Sequence, residues 1–227
     1  MFAVIFEVQP KADRWGDYLD LAKQLKPELE AMDGFIDNER FKSKQDDRRV
    51  LSLSTWRDEK SVVRWRTHER HHGVQEKGRF EVFDDYHLRV GEITADSRPP
   101  AGCTIVQHRL DETEVGTAKA VTITELLPSE GASLASRPEL LRPHLGLDPK
   151  TSGLLSHEVF ESIYAPGKLA LLASWTTARA AEGWRPETPS AARDLRHRQV
   201  RVIRDYGMFE RREAPQYYPR TSRDMTR

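Results

Sequence analysis

Gly34–Phe41 (GFIDNERF) is answered by Gly153–Phe160 (GLLSHEVF), and the reading of the whole chain turns on that echo. Outward from it, the strand-like Val50–Trp56 (VLSLSTW) matches Leu169–Trp175 (LALLASW), and each tryptophan is followed nine residues later by another, Trp65 and Trp184. Upstream, Ala3–Pro10 (AVIFEVQP) matches Val121–Pro128 (VTITELLP), and Leu25–Leu29 (LKPEL) matches Leu141–Leu145 (LRPHL). The anchors keep their order, with offsets of 118, 116 and 119 residues. A period this long is a domain-sized unit rather than a solenoid module, so the chain reads as two tandem copies of one small domain.

Phe2–Val8 is short and almost wholly apolar, the pattern of a buried strand. Tyr18, Leu21, Ala22, Leu25, Leu29 and Met32 recur at three- and four-residue steps and predict an amphipathic helix, which Pro27 should kink or restart and Gly34 should end. Phe35–Lys44 and Val50–Trp56 form a hairpin around the polar cluster Gln45–Arg48. Asp58 is placed to N-cap a second helix running to about Gly78, and Tyr86–Ile93 reads as a fourth strand. The order β-α-β-β-α-β is the ferredoxin-like one. We expect a first unit over 1–95, a linker over 96–118 in which Cys103–Leu110 could add a strand, and a divergent second unit over 119–212. A tail over 213–227 should pack through Gln216–Pro219. In the second unit the first helix, near Arg137–Leu145, is short, and the second is interrupted by Pro186 and Pro189. A ferredoxin-like sheet leaves one face bare, and burying two such faces against each other predicts an intramolecular α+β barrel; further homodimerisation stays open.

Composition narrows the functions. Lys+Arg and Asp+Glu both number 36, so phosphate neutralisation gives no reason to expect nucleic-acid binding. No apolar run is long enough to span a membrane. The single cysteine, Cys103, fits a reducing compartment, and we expect a cytoplasmic protein.

The first half resembles the antibiotic biosynthesis monooxygenase (ABM) domains of the dimeric α+β barrel superfamily. The resemblance is carried by Gly34–Glu39, Ser54–Trp65 (STWRDEKSVVRW), His68, His71, Gln75, Gly78, Arg79, Tyr86, Arg89 and Val90. It implies a monooxygenase acting on a small aromatic or polyketide-like molecule with dioxygen, in many members without a cofactor. The haem-degrading branch places a tryptophan where Trp65 stands and a haem-ligating histidine ten residues on. Here that position is Gln75, and the asparagine expected on the first strand is missing. Haem binding or degradation is therefore the alternative, with His71 or His72 as ligand, and a non-catalytic binding protein is the third reading.

On one continuous helix, Trp65, His68, His72, Gln75 and Arg79 would share an arc of roughly 80°, with His71 at its edge. Such a polar inward face lines either a pocket or a solvated groove. His71, helped by His68, is the candidate base, because an unshifted imidazole titrates near neutrality. Trp65 and Phe41 are candidate pocket walls; His72, Gln75, Asn38, Arg40 and Tyr86 are candidate binding residues. Strand alternation alone does not decide whether Asn38 or Glu39 faces the pocket. The i, i+4, i+8 column His68, His72, Glu76 has metal-like spacing, but no further ligand supports it, and no metal is expected.

Overall fold

A computed structural model describes residues 1–129, 137–190 and 192–218. Phe2–Pro10 forms β1, whose alternation sends Ala3 and Ile5 into one core and Phe2 and Val8 into two others, as a two-residue period requires. Helix α1 (Trp15–Glu30) buries Tyr18, Ala22, Leu25 and Leu29. It runs through Pro27 rather than restarting there; the proline forgoes one N–H donor to the preceding turn, and the helix ends three residues later. Then come β2 (Phe35–Ser43), β3 (Val50–Trp56), α2 (Glu59–Thr67), α3 (Glu69–Lys77), a π turn over Gly78–Val82, and β4 (Phe83–Asp96). The second half has β5 (Ala120–Pro128), α4 (Leu141–His144), β6 (Leu154–Ser162), β7 (Leu169–Trp175), α5 (Ala178–Glu182) and β8 (Ala192–Gly207). Gly34 and Gly153 repeat each other, with φ of 83° and 82°, a conformation that favours glycine.

The eight strands close into one barrel in the order β1-β3-β2-β6-β7-β5-β8-β4, antiparallel throughout. The two sheets face each other across a shared core of Ile5, Phe41, Leu51, Leu53, Ile123, Phe160, Leu172 and Val202. They also join at both edges, through β2–β6 and β4–β8. The expected strand at Cys103–Leu110 does not form. Both edges of β4 are already taken by β1 and β8, so the linker is tied by side chains instead: the Glu92 carboxylate accepts from the amides of His108 (2.6 Å) and Arg109 (3.0 Å).

A pseudo-twofold relation governs the polar groups inside the barrel. Glu39 accepts from Ser162 and Lys168 of the other half, while Glu158 accepts from Ser43 and Arg49 of the first. Likewise Arg89 pairs with Glu7 and Ser174, and Arg198 with Glu125 and Thr55. Each of these four carboxylates thus finds an opposite charge, with hydrogen bonds supplied across the junction, as burial demands.

Candidate active site

The outer face of the first-half sheet carries Val4, Phe6, Asn38, Arg40, Ser52, Ser54, Leu88 and Val90. Together with α1, α2, α3 and the tail it encloses a cavity of about 210 Å³. Tyr18, Leu25 and Leu29 come from α1, Val62 and Trp65 from α2, and His71 and Gln75 from α3. Alternation along β2 settles its side-chain directions. Asn38 and Arg40 line the cavity, whereas Glu39 and Phe41 point into the barrel. Phe41 is therefore not a pocket wall: it is fully buried in the shared core, beneath the Lys168 ammonium at 5.6 Å from its ring.

The histidines do not share one helical arc. Asp58 caps α2, its carboxylate accepting from the Ser61 amide at 2.8 Å. The helix then breaks at His68, whose ψ of 128° is extended, and α3 restarts at Glu69. A break re-phases everything beyond it, so the arc and the metal-like column, both drawn on a continuous helix, dissolve. His68 does not line the cavity; its Nδ1 lies 3.7 Å from Glu28. His72 is exposed, 5.8 Å from the Tyr218 ring and outside the lining. Arg79 is buried beyond α3 and donates to the Met208 carbonyl. Among the described residues no group of three or more His, Cys, Asp or Glu could hold a metal.

His71 is the histidine that lines the cavity. Its ring stacks on Trp65 at 4.2 Å and 15°, and its Nδ1 lies 2.8 Å from the Trp65 carbonyl. A carbonyl only accepts, so Nδ1 carries the hydrogen and Nε2 holds the lone pair. Burial lowers its pKa from 6.5 to about 4, against the opposing pull of that carbonyl. The titration near neutrality expected of a free imidazole is thus displaced, and His71 is neutral at physiological pH.

Several lining residues have no clear mark in the sequence. Tyr18 looked like a core position of α1, and Tyr206, near the end of β8, was not singled out. Arg211, Gln216 and Tyr218 reach back from the chain's end to close the cavity. Arg211 donates to the Tyr86 hydroxyl at 2.7 Å and to the Gln216 carbonyl at 2.9 Å, and Gln216 donates to Gln75 at 3.2 Å. The lining holds four arginines, Arg40, Arg66, Arg204 and Arg211, against one carboxylate, Glu59. Glu59 is itself engaged by Arg109 at 2.6 Å.

The corresponding space in the second half is packed. Trp184 lies 6.0 Å from Trp175, as Trp65 lies 6.5 Å from Trp56. There the pair continues into a cluster with Leu141, Leu145, Leu147, Val159 and Ala181.

The model of the family described as antibiotic biosynthesis monooxygenase matches residues 1–77. A protein of Pyricularia oryzae named jasmonate monooxygenase ABM is 44% identical over 227 residues, covering 98% of this chain and all of that one. Among solved structures, an aldoxime dehydratase in complex with butyraldoxime superposes with a TM-score of 0.53 at 12% identity, over 89% of this chain and 79% of its own; that likeness concerns the fold alone. An anthrone oxidase-like protein gives a TM-score of 0.36 at 13% identity, over 95% and 96% of the two chains.

Proposed function

Because the chain belongs to the antibiotic biosynthesis monooxygenase family, we propose that it oxygenates a small, largely apolar metabolite in the first-half cavity, with dioxygen and without a resident cofactor. The observation that carries this reading is His71: a neutral imidazole of fixed tautomer, stacked on Trp65 in an apolar enclosure. In the proposed reaction Nε2 takes a proton from a C–H or O–H made acidic by a neighbouring carbonyl or aromatic ring. The resulting anion gives its electrons to dioxygen and forms a peroxide at carbon. Loss of water leaves a carbonyl, so that CH2 and O2 become C=O and H2O, with one oxygen atom in each product.

Tyr86 suits the role of anion stabiliser. Its oxygen accepts from Arg211, which leaves its own hydroxyl proton free to donate, polarised by the adjacent cation. The cavity, about 210 Å³, is smaller than the ~300–1,000 Å³ common for drug-sized ligands. A compact metabolite suits it better than a macrocycle such as haem. Jasmonate, named in the Pyricularia relative, is of this compact kind and is the first substrate to try, followed by anthrone-like phenols.

The test is oxygen consumption by metal-stripped protein given each candidate under air, with isotopically labelled dioxygen to trace the inserted atom. The expected result is turnover with label in the product. Turnover only after addition of haem or flavin, or labelled oxygen in water alone, would overturn the reading.

A further inference from the structure

We propose that Arg40, with the Tyr18 hydroxyl, forms a carboxylate-binding subsite, so that this cavity takes acids in preference to their neutral esters. This rests on the reading of the cavity as the substrate site and names the substrate class it receives.

The charge at Arg40 has no acidic partner. Its guanidinium makes no ion pair among the described residues, and its Nη1 donates to the neutral Asn38 carbonyl oxygen at 3.0 Å. Its Nε is buried with no acceptor. Asn38 is pinned in turn, donating to the Leu53 carbonyl at 3.0 Å and to Ser52 Oγ at 3.3 Å, which aims the guanidinium. Beside it the Tyr18 hydroxyl is buried with no acceptor for its proton, and its oxygen is close enough to feel the arginine's charge and N–H donors; Tyr18 itself is only 6% exposed. A fork of N–H donors from β2 and an O–H without an acceptor from α1, side by side, match the acceptor-only geometry of a carboxylate.

The repeat removes the bland explanation. The position matching Arg40 in the second half is Val159, 4% exposed in a dry cluster. The fold therefore needs only an apolar side chain there. Arginine at the same strand position carries a desolvation cost that no protein carboxylate offsets, while Phe6, Leu25 and Val4 line the same cavity. An uncompensated cation set in an apolar cavity is what a hydrophobic acid requires.

Jasmonate and its methyl ester are the probes, with decanoate and methyl decanoate as a second pair. Binding is read from quenching of tryptophan fluorescence, since Trp65 lines the cavity. We expect the wild type to bind at least one acid more than 10-fold tighter than its ester. Arg40→Gln should weaken the acid by about 10- to 100-fold, the scale of a lost charge-assisted hydrogen bond, and leave the ester within about twofold. Tyr18→Phe, which removes one oxygen and is gentle on packing, should weaken the acid a few-fold and spare the ester. Equal affinities for acid and ester in the wild type would overturn the proposal. So would a parallel loss of both ligands in Arg40→Gln with the thermal midpoint unchanged. Should Arg40→Gln unfold, Tyr18→Phe decides by the same criterion. Binding is separate from turnover, so an acid bound through Arg40 with no oxygen consumed would sink the monooxygenase reading alone.

Discussion

The lowered pKa of His71 makes the pH profile the sharpest test of its role. Moving from 6.5 to about 4 corresponds to about 3 kcal/mol of preference for the neutral ring, at about 1.4 kcal/mol per unit. Nearly all of the enzyme then holds His71 as a free base at pH 7. The same shift makes it a weak base: proton transfer from a phenol of pKa ~10 would be uphill by about 8 kcal/mol. That is about half of the ~16 kcal/mol barrier implied by a turnover of ~10 per second, so the step remains accessible, provided Tyr86 and Arg211 hold the anion. Because the folded pKa is depressed, activity should be intact at high pH and lost only as pH falls through about 4. The measurement is kcat/KM from pH 3.5 to 8.5 for wild type and His71→Gln, using whichever substrate turns over. A plateau down to about pH 5 with a limb near 4 is expected, and His71→Gln should lose on the order of 10²–10⁴-fold. A limb near 6.5, or a variant within threefold of wild type, refutes His71 as the base.

Three further outcomes concern stability. Burial lowers the pKa of His197 to about 4, with Arg185 adding to the effect, so the unfolded chain takes up a proton below 6.5 that the folded one refuses. His197→Gln, measured by urea unfolding, should show about 2 kcal/mol less stability loss than wild type between pH 8 and pH 5. The Glu213 carboxylate accepts from Thr113 Oγ1 (2.7 Å) and from the amides of Asp205 (2.7 Å), Glu114 (2.7 Å) and Val115 (3.2 Å). Glu213→Ala should release the tail and raise hydrogen exchange at 113–116; with Arg211 and Tyr218 displaced, kcat/KM should fall at least tenfold, and an unchanged rate would show that the tail is no part of the site. Glu158→Ala takes the partner from buried Ser43 and from Arg49, whose side chain is 40% exposed, and should cost about 1–3 kcal/mol by chemical denaturation, whereas a loss under about 0.5 kcal/mol would mean that the cross-junction network contributes little.

The repeat made the fold legible. Gly34 and Gly153, the two hairpins and the paired tryptophans survive in both halves because backbone conformation and core packing require them. Much of the site was legible as well: Asn38, Arg40 and Tyr86 on strands, and Trp65, His71 and Gln75 on helices, all line the cavity. His68 and His72 were misplaced, because a helical wheel presumes an unbroken helix and no proline or glycine marks the turn at His68. The tail was anticipated as packing, but its part in the cavity depends on contacts more than 100 residues apart in sequence, such as Arg211 with Tyr86.

The two halves show what a cavity requires of this fold. Both place a tryptophan pair above the outer face of a four-stranded sheet, yet one leaves a space and the other fills it. Among the described residues the second half supplies a 3-10 turn (Pro138–Leu140), one turn in α4 and five residues in α5, and its roof collapses. Trp184, Leu141, Leu145 and Leu147 then occupy the volume that α1 and α3 hold open in the first half. Collapse makes a dry core, and a dry core takes Val159 where an open cavity can carry Arg40. The barrel joins these divided tasks: the packed half supplies β6 and β8 to close both edges of the sheet that bears the site. Through β8 and the tail it also supplies Arg204, Tyr206 and Arg211 to the cavity itself. The second copy is therefore a working wall of the first copy's site, and removing it should cost the cavity Arg204 and Arg211 as well as its support.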